Sequence, residues 1–107
     1  MATVIKKIIR PNQASKEALH FTLIFGVLKN VNYLRIFRSL VKYENLTVQD
    51  VEKILKISHS LANRYLKKLI TNDIIVKKEI NNLSNYSLNT NNKNILMFKT
   101  FFTTINK

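Results

Sequence analysis

The feature that most restricts how this chain can fold is a stripe of apolar residues. Leu61, Ala62, Tyr65, Leu66, Leu69 and Ile70 stand at i, i+1, i+4, i+5, i+8 and i+9. A helix gathers such a set onto one face, whereas a strand would scatter it over both sides of a sheet. The opposite face then carries His59, Ser60, Asn63, Arg64, Lys67, Lys68 and Thr71, with no acid among them. Ser58 stands where an N-cap is needed, its side-chain oxygen able to accept from the first free backbone N–H groups.

The flanking residues extend this helix into a larger pattern. Thr47 with Asp50 three residues on has the spacing of a capping box, with Asp in the usual Glu or Gln place. It predicts a short helix from Val48 to Leu55, with Val48, Val51, Ile54 and Leu55 inward and Gln49, Glu52, Lys53 and Lys56 outward. The turn Lys56-Ile57-Ser58 joins the two helices. After them, Asn72-Asp73 predicts a stop without glycine, Asn taking the left-handed conformation. Ile74 opens a β-rich run through Ile80, and Tyr86 to Leu88 forms its return after a polar loop from Asn81 to Asn85. Two short helices, a three-residue turn and a hairpin follow one another in the order of a winged helix-turn-helix.

On either side lie segments that want cover. Ser15 with Glu17 reads as a helix start, and Ala18, Leu19, Phe21, Leu23, Ile24, Phe25, Val27 and Leu28 leave almost no polar face until Lys29. A second helix is ordinarily amphipathic, with Leu34, Ile36, Phe37, Leu40 and Val41 against Arg35, Arg38 and Lys42. From Lys93 the chain turns helical again, with Ile95, Leu96, Phe98, Phe101, Phe102 and Ile105 on a broad apolar face. A chain of 107 residues holds too little material to surround the first helix, so a second copy is the expected cover. The expectation is one domain over 1–107, mainly α with a small β-hairpin, and a homodimer. The helix-turn-helix spans about 48–71 and the wing about 74–88, with dimerisation helices at about 15–29 and 93–106.

Charge points to the partner. Eighteen Lys and Arg against six Asp and Glu give +12, and a polyanion is the natural counterpart. Asn, Lys and Ile, all with A/T-rich codons, are abundant, and genomic drift contributes to the lysine excess, but drift does not suppress acids this far. The absence of cysteine removes disulfides, thiolate metal sites and thiol nucleophiles and fits a cytoplasmic, nucleoid- or plasmid-associated home. The apolar stretch Ala18 to Leu28 is too short for a bilayer, which needs about 20 residues, so no membrane partner is expected; nor is a signal peptide. Two histidines, scattered acids and no glycine-rich loop suggest neither an enzyme nor a cofactor.

Double-stranded DNA is therefore the expected partner, and the residues divide by role. The recognition helix offers Ser58, His59, Ser60, Asn63, Arg64 and Lys67: its N-terminal side chains His59, Ser60, Asn63 and Arg64 reach base edges in the major groove, and Lys67 suits a phosphate. Asn63 suits a bidentate pair with adenine and Arg64 with guanine. Lys53, Lys56 and Lys68 suit phosphates, which fix register but carry no sequence information. In the wing the candidates are Lys77, Lys78, Asn81, Asn82, Ser84 and Asn85, and an alternating strand turns Lys77 and Lys78 to opposite faces. Lys6, Lys7 and Arg10 are either a DNA-reaching arm or a charged terminus. Tyr65 on the apolar stripe and His20 within the first helix are expected to pack.

The stretch Val51-Glu-Lys-Ile-Leu-Lys-Ile-Ser58-His-Ser-Leu-Ala62-Asn-Arg-Tyr-Leu66-Lys-Lys-Leu69-Ile-Thr-Asn-Asp-Ile74-Ile-Val resembles the ArsR-like winged-helix family. The resemblance runs from Leu34 to Leu88. It departs at Asn72-Asp73, where a glycine is common, and has no counterpart of that family's Cys or His metal-sensing ligands. In size, charge and lack of a sensor the chain also resembles the TubR family. That likeness implies a centromere-binding adaptor of plasmid or phage partition, which coats repeated sites, links them to a tubulin-like GTPase and represses its own operon. The alternative is a ligand-independent ArsR-like repressor.

Overall fold

The computed structural model describes residues 11–105, with side chains from Leu19 onward; Lys6, Lys7 and Arg10 lie outside the described residues. Five helices and one hairpin follow in chain order: α1 (Pro11–Leu28), α2 (Val31–Tyr43), α3 (Val48–Leu55), α4 (His59–Thr71), β1 (Ile75–Ile80), β2 (Leu83–Leu88) and α5 (Lys93–Ile105). Among the described residues the first helix runs from Pro11 and so already includes Ser15.

The caps expected around the central pair are present. Thr47 Oγ1 accepts from Asp50 N at 3.2 Å and the Asp50 carboxylate accepts from Thr47 N at 2.9 Å, closing the capping box of α3. Ser58 Oγ accepts from Leu61 N at 3.2 Å, which starts α4. Asn30 likewise caps α2 by accepting from Asn32 N.

With one glycine in the whole chain, the left-handed positions at the junctions fall to other residues. Lys56 (φ 57°) ends α3 and lets Ile57 N reach Glu52 O at 3.1 Å. Asp73 (φ 58°), and not Asn72 (φ −93°), takes the left-handed place after α4. Ile74 N then closes back on Leu69 O at 2.9 Å, and Asn72 instead donates its side-chain amide to Lys68 O. Glu44 (φ 69°) sits in a tight turn in which Asn45 N bonds Tyr43 O two residues back, a strained γ-type conformation.

The hairpin is tighter than its polar composition suggests. Asn81 and Asn82 both have positive φ, which a two-residue type I′ turn demands and asparagine tolerates. Leu83, Ser84 and Asn85 therefore pair instead of looping, with Ile80 opposite Leu83, Glu79 opposite Ser84 and Lys78 opposite Asn85. Ser84 and Asn85 are strand residues, and the tip is Asn81-Asn82 alone. Beside the hairpin Leu46 makes a one-residue bridge, Leu46 N to Tyr86 O at 2.9 Å and Tyr86 N to Leu46 O at 2.8 Å. That bridge ties the wing to the segment between α2 and α3.

Behind these elements lies one core built from every one of them, including Ile24, Ile36, Phe37, Leu40, Val51, Leu66, Leu69, Ile74, Tyr86 and Ile95. From α4, Ala62, Leu66 and Leu69 are buried, Leu61 and Tyr65 half-buried, and Ile70 is exposed, so the stripe is narrower than its spacing implies. Of α1 the core takes Ile24 and Leu28, while Leu19, Leu23 and Phe25 stay exposed. None of the described helices is long and apolar enough to cross a membrane.

Candidate nucleic-acid interface

Because the leucines of α4 are buried behind it, the polar edge of that helix is held outward. His59, Ser60, Asn63, Arg64, Lys67 and Lys68 are all exposed. Helical spacing places His59 beside Asn63, Ser60 beside Arg64 and Asn63 beside Lys67 on one face. Asn63, Arg64 and Lys67 have side chains without a hydrogen-bond or ion-pair partner within the described residues, so their donors face solvent. The two acids of α3 are both engaged: Asp50 closes its cap, and Glu52 Oε2 lies 3.0 Å from His59 Nδ1.

That last contact was not legible from the sequence, since it joins residues seven apart across a turn. It fixes what His59 can offer. The Glu52 carboxylate only accepts, so Nδ1 carries the proton, and Nε2 of the neutral ring is left as an acceptor for a donor on a base edge. Ser58 spends its acceptor on the Leu61 N–H and keeps its hydroxyl proton to donate. A further unforeseen tie sits behind the turn: Arg35 Nη2 donates to Ile54 O at 2.7 Å, satisfying a carbonyl at the end of α3 that the helix leaves open.

Tyr65 packs as expected. Its ring meets Tyr33 edge-on with centroids 4.9 Å apart, and its hydroxyl accepts from Asn32 Nδ2 at 3.0 Å, so α4 is braced against α2. Burial raises the Tyr33 phenol above its usual pKa, as does the neighbouring Tyr65, against a smaller downward pull from Arg64; Tyr33 is thus a neutral wedge. Lys68 Nζ lies 5.8 Å from the Tyr33 ring centroid, a cation–π contact it must share to reach a phosphate. Lys53 and Lys56 are exposed on α3 and at its left-handed cap.

In the wing Lys77 and Lys78 are both exposed. They belong to opposite faces, Lys77 paired with buried Tyr86 and Lys78 with Asn85. Asn81 and Asn82 are exposed at the tip, Ser84 and Asn85 half-buried. Flanking the tip, the cross-strand pair Ile80 and Leu83 is left exposed, a feature that composition did not flag. His20 is half-buried, with Nδ1 3.2 Å from Asn94 Nδ2 and Nε2 3.4 Å from Asn92 Nδ2, joining α1 to the start of α5.

Residues 31–101, from the first turn of α2 into α5, match the family model described as sugar-specific transcriptional regulator TrmB. The chain belongs to this family. No curated protein matches the chain. Among solved structures, HlyU from Vibrio cholerae superposes with a TM-score of 0.72 at 16% identity, covering 84% of this chain and 95% of that one. The transcriptional regulator HlyU from Vibrio vulnificus gives 0.67 at 20% identity, over 86% and 91%. ZitR from Lactococcus lactis, a variant in its apo form, gives 0.59 at 20%, over 92% and 74%. The winged helix-turn-helix that the ArsR-like resemblance implied is thus the fold of this TrmB-family chain.

Proposed function

We propose that this TrmB-family chain regulates transcription by binding double-stranded DNA as a homodimer, with α4 in the major groove. The observation that carries the reading is the exposed, acid-free edge from His59 to Lys67, backed by Ala62, Leu66 and Leu69, in a chain of a transcriptional-regulator family. In it Asn63 and Arg64 read base edges, with His59, Ser60 and the Ser58 hydroxyl at the helix start. Lys53, Lys56, Lys67 and Lys68 bind phosphates, and the wing offers Lys77, Lys78 and the Asn81-Asn82 tip. The exposed apolar residues of α1 and α5 support the dimer.

The experiment is a titration of cognate and scrambled duplexes at several salt concentrations. Arg64→Ala and Asn63→Ala each cost about 1–3 kcal/mol on the cognate duplex and bring it closer to the scrambled one. Lys67→Ala weakens both duplexes alike and lowers the salt slope by about one. If Arg64→Ala and Asn63→Ala bind every sequence as the wild type does, α4 does not read bases.

Lys56 gives a sharper test, because it serves the fold badly and the interface well. A non-glycine residue in the left-handed region costs about 1–2 kcal/mol, so Lys56→Gly raises the unfolding free energy while removing one phosphate contact. Urea melts that shift up, together with a salt slope that falls by about one, are the expected pair of results. An unchanged salt slope removes Lys56 from the interface.

The regulator reading draws support from the family match; the partition adaptor with a tubulin-like GTPase partner draws none. A footprint separates them, one protected operator indicating a regulator and a cooperatively covered run of repeats an adaptor.

A further inference from the structure

Away from the DNA-reading edge, three cations of α2 open into one concavity. Arg35, Arg38 and Lys42 sit at i, i+3 and i+7, so they stack on one side of the helix. With Ser39, Tyr43 and Thr103 they line a cavity of about 730 Å³, and no carboxylate lines it among the described residues. That volume lies in the range that takes small molecules, about 300–1,000 Å³.

The hydroxyls define the rest of the ligand. Ser39 Oγ donates to Arg35 O at 2.8 Å and Thr103 Oγ1 donates to Lys99 O at 2.8 Å, so both protons are committed. What each has left is lone pairs, which call for a ligand that donates O–H. Arg35 and Lys42 are held in place. Arg35 is anchored by Ile54 O, with the other N–H groups of its fork still available, and Lys42 Nζ lies 5.2 Å from the Tyr43 ring centroid. Side chains already ordered lose less freedom on binding.

We propose that this cavity binds a small phosphate monoester carrying hydroxyl groups. The phosphate meets Arg35, Arg38 and Lys42, and the ligand's hydroxyls donate to Ser39 and Thr103. A DNA backbone phosphodiester supplies the anion but no such donors.

The ligand arm of the test is calorimetric titration of the whole chain without DNA, so its outcome is independent of the regulator reading. Glycerol 3-phosphate binds saturably, inorganic phosphate binds more weakly, and glycerol does not bind. Arg38→Gln with Lys42→Gln weakens glycerol 3-phosphate by about ten- to a hundredfold, the worth of hydrogen bonds to charged groups, with an unchanged circular dichroism spectrum. Ser39→Ala lowers affinity for glycerol 3-phosphate and leaves that for inorganic phosphate unchanged, a split that misfolding would not produce. No saturable binding at millimolar concentration, or equal affinity for both phosphates, overturns the proposal. So does displacement of glycerol 3-phosphate by a duplex whose affinity falls in the Arg38→Gln, Lys42→Gln variant, which makes the cavity a DNA-phosphate contact.

Discussion

Phe37→Ala lowers the unfolding free energy by about 3–5 kcal/mol, about a fifth or more of what a domain of this size usually has in total. Phe37 is 1% exposed at the centre of α2. Its ring meets Phe102 with centroids 5.5 Å apart and Phe98 at 6.4 Å, so the same side chain holds α5 onto α2. Removing it leaves a cavity that the helices, fixed by their caps and by the Leu46–Tyr86 bridge, cannot close. A urea melt registers the loss as a lower midpoint with the slope unchanged. A double-mutant cycle with Phe102→Leu isolates the ring pair, expected at about 0.5–1.5 kcal/mol. A cost below about 1 kcal/mol for Phe37→Ala, the ordinary value for a point substitution, would mean that α5 does not pack on α2 in solution.

What the sequence made legible was local. Thr47, Asp50 and Ser58 act through backbone groups three residues away, so α3 and α4 start where the residue types say they should. The stripe on α4 reads correctly for Ala62, Leu66 and Leu69 because each is a one-body property of a helix facing a core. What stayed hidden needed a partner from another element or a particular φ. Ile70 has the right spacing and no neighbour to cover it. Asn81 to Asn85 has a loop's composition, but two left-handed asparagines suffice for the turn, and the next three residues then gain more from pairing than from water. Asp73 displaces Asn72 at the end of α4 because Asn72 instead bonds Lys68 O. The Glu52–His59 and Arg35–Ile54 contacts and the Leu46 bridge cross between elements, and no periodicity announces them.

The same distinction applies to the proposed DNA-reading edge. The exposure of Asn63, Arg64 and Lys67 follows from the leucines behind them, and a helical wheel finds it. The state of His59 does not follow in that way, since it is set by a carboxylate on the previous helix. In the proposed interface a substitution of Glu52 is therefore expected to act on DNA binding through His59, although Glu52 itself, being acidic, has no favourable contact to make with phosphate.

For the proposed homodimer, Leu23→Glu combined with Phe101→Glu is expected to convert the protein from twice the 12.5 kDa protomer mass to that mass in sedimentation equilibrium, and its affinity for a two-half-site duplex is expected to fall about 10²–10⁴-fold, the avidity that linking two binding modules supplies. The reason lies in what the protomer leaves uncovered. Leu23 is 50% exposed and Phe25 52% on α1, and Phe101 is 57% exposed and Ile105 54% on α5. The outward side of α1 carries no charged residue from Leu19 to Leu28, in a protein that is otherwise strongly basic. A surface meant for water in such a chain would carry lysine. Burying this one against a second copy gains roughly 25 cal/mol per Å² of apolar area, and two glutamates per protomer would place like charges opposite each other in that contact. Binding to a single half-site is the internal control: it stays near the wild-type value, because Leu23 and Phe101 lie outside the edge from His59 to Lys67. A wild-type protein that sediments as a protomer while saturating the two-half-site duplex would remove the dimer from the proposal and leave α4 as a monomeric reader.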